Sequence, residues 1–474
     1  MDEQVWKEVI RRRELGRQAL HVSDLAAHIG VSEDFITPTP KILAKLIESI
    51  SDLLFESIGA APEIDLPTVN FFLGQIASHL RYVDRARVAQ TPWSLVQPAD
   101  VFLNRHIEKG THFIIRPQWS YNYSLMGDFW DYYGRALANW SWFPLAKLND
   151  AMTEIGFGLN DRIFCISFPR VERNNVLMHC LWGHEFGHIL AGKWMDQEFG
   201  DYWAKAEPAI RDRIHIDVKS KAGPVDPLFE NYVFDEMTSS QLANTMKIAR
   251  DGLTEIICDY IGVHLFGPTA VAASIEFAAR FELDTSPLDG GNYPPWRYRL
   301  RLQLEHCNSD FLEDEAIDYP GPALRLFIDW LLEAKVIVSD KKEKRIIDAN
   351  IVTREAYQFI ETSWPEVSKA MVDLLPESSK NPYRLRDRFA RLEKLVQRLE
   401  DGIPPNEVRN LAMEPSSLED VLTSGWIRKI SGIHKQGSDG TIFDVDSLEL
   451  LVLKGCESSF VQAEWGPGLN GVHK

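Results

Sequence analysis

Between Trp182 and Ile189 the chain reads W-G-H-E-F-G-H-I, which puts His184 and His188 four residues apart with Glu185 directly after the first histidine. On a helix, residues four apart share a face, so both imidazoles can address one ion while Glu185 reaches a water bound to it. The chemistry that suits this set is hydrolysis. Zinc takes neutral imidazole nitrogens and brings the pKa of its water towards neutrality, and a neighbouring carboxylate accepts the proton and later passes it on. A catalytic zinc takes three protein ligands and keeps one position open, so a third ligand is needed. The stretch D-G-L-T-E-I-I-C-D-Y-I-G-V-H-L-F-G-P further on offers Glu255, Asp259 and His264. If Glu255 binds the metal, Asp259, one turn later, is placed to accept the hydrogen bond that sets a ligand histidine's tautomer. Both acids stand in an otherwise apolar run, where solvated surface carboxylates are not expected. His264 reads as a packing or surface residue before a ligand.

Helices must position these groups. Leu177 and Leu181 lie on the histidine face of the first, with Asn174 or Asn175 as its expected cap after P-R-V-E-R-N-N. Upstream, Ile42, Leu43, Leu46, Ile47, Ile50, Leu53 and Leu54 form a helical stripe with Thr39 as cap and Pro40 in the first turn. Another helix is expected near Asp65-Leu66-Pro67, so residues 1–95 read as a helical region. From about residue 96 the texture changes. T-H-F-I-I-R-P-Q-W-S-Y-N-Y-S-L-M-G alternates as a strand or hairpin, and D-R-I-F-C-I-S-F-P-R-V has the β-branched and aromatic content of a further strand. The aromatic residues between them, from Trp119 to Phe143, read as a core or interface, with an aromatic-lined cleft as the alternative. After residue 305 helices return, clearest in P-A-L-R-L-F-I-D-W-L-L-E-A-K-V-I and D-R-F-A-R-L-E-K-L-V-Q-R-L-E-D-G, with G-S-D-G-T as a turn before the last segment. The expected organisation is 1–95 helical, 96–305 carrying the site, and 306–474 helical.

H-E-x-G-H followed by E-x-x-x-D resembles the gluzincin branch of zinc metallopeptidases. Carried over residue by residue, the resemblance implies Zn2+ on His184, His188 and Glu255, Glu185 as general base and acid, and Asp259 as the partner of a ligand histidine. E-I-I-C-D-Y-I-G-V-H-L-F-G-P is similar to the second motif of the ImmA/IrrE peptidases. G-G-N-Y-P-P-W-R-Y-R-L-R-L resembles the segment that closes the site in the CAAX prenyl protease and heat-shock membrane protease family, with Asn292-Tyr293 standing where Thr-His would be. Tyr293 is therefore the candidate donor to an oxyanion, and Arg297 a candidate brace for the site. In zincin folds the strand beside the active-site helix is an edge that pairs with an extended substrate. That implies Ile163, Phe164, Ile166 and Phe168 as a substrate edge strand. The implied fold is α+β and predominantly helical: a zincin-like core with a small mixed sheet and an active-site helix, flanked by helical regions.

Composition narrows the classes. A net charge of -18 repels nucleic-acid backbones and anionic membrane surfaces. The charged N-terminus and the lack of any run of about 18 apolar residues argue against a leader or a membrane span, which makes the cytoplasm the default compartment. Five dispersed cysteines without a C-x-x-C pair suggest neither a disulfide framework nor a cysteine zinc site. The expected activity is zinc-dependent hydrolysis of peptide bonds in a protein or peptide substrate. The alternative is a non-catalytic zincin-like sensor or protein-interaction module with a structural metal. A chance motif in an unrelated scaffold would leave Glu255 far from both histidines.

Overall fold

The computed structural model describes residues 3–61, 63–158, 160–221, 223, 226, 228–286, 292–311, 321–339, 342–348, 350–408, 414–439 and 442–469. The chain forms two compact units, Met1–Asn174 and Asn175–Lys474. It is predominantly helical with a small mixed sheet. The one boundary falls at 174/175 and not at 95/96 or 305/306, and the reason is shared packing. Leu46, Ile50 and Ile76 from the N-terminal helices bury against Ile114, Ile163 and Cys165 of the sheet in one core. The helices after residue 305 likewise pack on those before it.

In the first unit, α1 (Glu3–Gly30), α2 (Thr39–Ala60), α3 (Leu66–Asp84) and α4 (Trp93–Arg105) precede the sheet. Helix α2 begins one residue earlier than its stripe suggested, with Thr39 already helical after Pro38. Its apolar face from Leu43 to Leu54 is buried. Strand β1 (Thr111–Gln118) is followed by β2 (Ser124–Met126), α5 (Phe129–Ala138), α6 (Leu145–Glu154) and β3 (Arg162–Pro169). Of the strand or hairpin expected over this stretch, strands form but β1 and β2 do not pair as a hairpin. Both flank β3, β1 parallel to it and β2 antiparallel, so the order is β1-β3-β2. The expectation of a substrate edge strand is therefore overturned. β3 is the middle strand, and Ile163, Phe164, Ile166 and Phe168 are all buried. Eight residues pair along its β1 side, and Asp128 Oδ1 takes up the Ile163 N–H at 3.1 Å on a backbone stretch that β2 does not cover. The continuous apolar character that suggested a strand reflects burial of β3 on both faces, and its interior position is read from its two neighbours.

Most of the aromatic cluster is core. Phe129, Tyr133 and Phe143 are buried, and Phe72 of α3 meets Tyr133 and Trp140 edge-on at 6.0 and 5.1 Å. Trp119, 72% exposed, stays outside it.

The second unit holds α7 (Trp182–Gln197), α8 (Phe199–Lys221), α9 (Glu230–Phe266), α10 (Pro268–Ala278) and α11 (Trp296–Phe311). It continues with α12 (Pro322–Val338), α13 (Lys342–Ile347), α14 (Ile351–Leu374), α15 (Phe389–Glu400), α16 (Leu418–Asp439) and α17 (Val445–Leu469). The two clearest helical readings after residue 305 correspond to α12 and α15. In the turn signal before α17, Gly440 and Thr441 lie outside the described residues. Among the described residues no helix is long and apolar enough to cross a membrane.

Candidate metal centre

Two helices make the site, and glycine lets them approach. A Cβ added at Gly187 of α7 would stand 2.6 Å from the Cα of Cys258 on α9, and one at Gly183 would stand 3.0 Å from the Cα of Gly262. Facing this seam, α9 presents Glu255, Cys258, Asp259 and Gly262, spaced three and four apart and so on one side of the helix. Gly187→Ala is expected to push the helices apart. The expected cost is about 1–3 kcal/mol of stability in denaturant unfolding, together with weaker metal binding. Gly192→Ala in the same helix meets nothing within 4 Å and should be neutral or stabilising by about 0.5–1 kcal/mol.

The start of α7 differs from expectation. A 3-10 segment, Val176–Leu181, leads directly into Trp182, and neither Asn174 nor Asn175 caps the helix. The tighter turn hands its carbonyls to the first N–H groups of α7, which removes the need for a side-chain cap.

His184 and His188 stand with ring centroids 5.0 Å apart and planes at 89°. Their Nε2 atoms lie 3.6 Å from Glu255 Oε2 and 4.0 Å from Glu255 Oε1, respectively. Ligand atoms about 2.0–2.2 Å from a tetrahedral zinc lie about 3.3–3.6 Å from one another, so these three groups fit one ion with a small adjustment. Asp259 Oδ1 is 2.8 Å from His184 Nδ1, which leaves Nε2 of that ring as the atom facing Glu255. Glu185 is buried, and its charge is felt at both Cys258 and Tyr293.

Arg299 of α11 ties the acids together. Its Nη1 is 3.0 Å from Glu255 Oε2, while Nε and Nη2 donate to the two oxygens of Asp259 at 2.7 and 2.8 Å. Its guanidinium lies 4.3 Å from the centroid of the Trp296 ring. Burial alone raises a carboxylate's pKa, but the charge and hydrogen bonds of Arg299, with His184, hold that of Asp259 well below the usual range. Burial also opposes a charged His184, yet the hydrogen bond and charge of Asp259, with Glu255, raise its pKa overall. His188 is lowered to about 3 by burial, by His184 and by Arg299, which keeps it in the neutral form that binds metals.

The brace is thus Arg299 and not Arg297. Arg297 turns to Asp284 and donates to the Ile337 carbonyl at 2.6 Å. Two positions apart on a helix are about 200° apart around it, so Arg297 and Arg299 cannot share a face. His264 is buried, with Nε2 2.8 Å from the Ser379 carbonyl, which is the packing and not the surface alternative. Tyr293 stands at the rim, 58% exposed. Its phenol pKa is raised chiefly by the charge of Glu255, then by burial and by Asp251, with Glu185 adding to it. Before it, Asn292 adopts φ 65° and donates to Asp251 Oδ2 at 3.0 Å, which pins the turn to α9.

Cys258 enters the site without having been singled out from the sequence. Its Sγ and the two imidazoles lie within 4.8 Å of one another, a second possible set of three ligands. Glu255 instead offers a different oxygen to each imidazole, Oε2 to His184 and Oε1 to His188. Burial, with Glu255, Asp259 and Glu185, pushes the Cys258 thiol well above its ordinary pKa. One signal for this packing was present in the sequence: Gly183-x-x-x-Gly187 on α7 and Gly262 on α9 mark a close helix crossing.

Comparison of the chain with known protein families, with curated proteins and with solved structures returns no match.

Proposed function

We propose that this chain is a zinc-dependent peptidase with a zincin-like core, in which His184, His188 and Glu255 hold the metal and Glu185 moves the proton. The observation that carries this reading is the meeting of Glu255 with both imidazole Nε2 atoms, although it follows His188 by 67 residues. Zinc bound there supplies Lewis acidity, which brings the pKa of a water close to neutrality and polarises a carbonyl. Glu185 accepts the proton of the attacking water at its carboxylate and returns it to the leaving amine. Asp259 keeps the proton of His184 on Nδ1, and Arg299 keeps Asp259 ionised and aligned. Tyr293, at the open side, donates its phenol O–H to the carbonyl oxygen as negative charge develops. The substrate is a polypeptide.

One observation favours a second reading. Arg299 pairs with both Glu255 and Asp259, so the cluster is balanced as an ion-pair network in its own right. Cys258 could then complete a structural metal set in a non-catalytic sensor or interaction module. The two readings separate when zinc is quantified in the purified chain and a peptide library is incubated with it and analysed by mass spectrometry. Stoichiometric zinc, with cleavage that stops on chelation and returns with zinc, is the expected result. Stoichiometric zinc with no cleavage supports the second reading, and no zinc at all sinks both.

A further inference from the structure

Arg116 is buried in the first unit and neither the fold nor the metal centre accounts for it. It is 5% exposed, on a strand otherwise filled by Phe113, Ile114 and Ile115. A guanidinium cannot shed its proton, so burying one calls for an anion or a full set of acceptors. Arg116 Nη1 donates to the Pro117 carbonyl at 3.2 Å and the guanidinium faces the Cys165 thiol, but Nε has no acceptor, and the group pairs with no carboxylate among the described residues. The donor left over is Nε, a charged N–H that an oxygen of a carboxylate or phosphate would satisfy.

The surroundings supply donors. Strand register sets Ser167 beside Arg116, so the two side chains neighbour each other on one sheet face. The Ser167 hydroxyl makes only a 3.8 Å contact, with Cys165 Sγ. On the same side, the Tyr82 ring of α3 carries Arg116 at 4.3 Å from its centroid and Arg81 at 4.9 Å. Arg81 Nη2 donates to Tyr82 Oη at 2.9 Å. Two guanidiniums therefore lie against one ring, neither of them in an ion pair among the described residues, and an oxyanion held by either would offset the positive charge there. Arg81 is exposed, which gives the cluster a side facing solvent.

We propose that Arg116, Arg81 and Ser167 form a binding site for a small oxyanion, phosphate or carboxylate, against the β1–β3 face. The site is independent of the metal reading and needs no enzymatic activity for its test. The full chain is titrated calorimetrically with inorganic phosphate and, separately, with acetate, at an ionic strength held constant with chloride. Saturable binding of one oxyanion is expected, weakened about tenfold or more in Arg116→Gln and less in Arg116→Lys, which keeps the charge without the fork. Preference for phosphate over acetate identifies the ligand as a phosphate, and the reverse identifies a carboxylate. If Arg116→Gln fails to fold, Arg81→Gln at its exposed position decides the matter, with a loss of about threefold expected. Absence of saturable binding by either anion overturns the site, as does an affinity that these substitutions leave unchanged.

Discussion

Glu185→Gln is expected to keep its zinc and to lose about 10²–10⁴-fold in peptide turnover, the range that a positioned general acid–base group contributes. The amide preserves the shape of the side chain, so the buried seam between α7 and α9 is not disturbed. It cannot accept a proton. Zinc content measured beside the rate separates the two roles a carboxylate can play here. Loss of metal together with activity would make Glu185 a ligand, and unchanged turnover would remove it from the chemistry altogether.

The second large effect concerns the third ligand. Glu255→Gln should weaken zinc binding by more than about 100-fold, since even groups that only orient a ligand account for about 10–100-fold. Cys258→Ser, which changes one buried atom, should leave the affinity nearly unaltered. Competition with a chromophoric chelator measures both, and circular dichroism confirms that each variant is folded. The opposite ranking would transfer the site to His184, His188 and Cys258, and would favour the non-catalytic reading. Arg299 sharpens the contrast. In Glu255→Gln it still holds Asp259 through two hydrogen bonds, so the histidine-orienting part of the network survives the substitution.

The local elements of the site were legible because their signals are local. His184, Glu185 and His188 share a helix face by spacing alone, and Glu255 and Asp259 do the same in a run too apolar for solvated acids. Stripes such as Leu43 to Leu54 likewise announce a buried face. The apolar run in β3 announced a strand but not its neighbours, because pairing partners come from distant sequence and leave no periodic trace in the strand itself. The same limit explains the domain boundaries. Helices of residues 1–95 share a core with the sheet, and such sharing is a property of packing and not of composition.

The sequence alone put His184, Glu185 and His188 on one helix face and Glu255 and Asp259 on another, since helical period suffices for both, but it did not single out Cys258. Only the tertiary structure decided that Glu255 meets both histidines and that Cys258 borders them. It also decided that Arg299 faces the acids while Arg297 turns to Asp284, and that Ile163 to Phe168 lies inside its sheet. The physical reason is the same in each case. A helix or strand specifies its own faces, but which face meets which neighbour is set by close packing at positions such as Gly187 and Gly262, where the absence of a side chain allows contact.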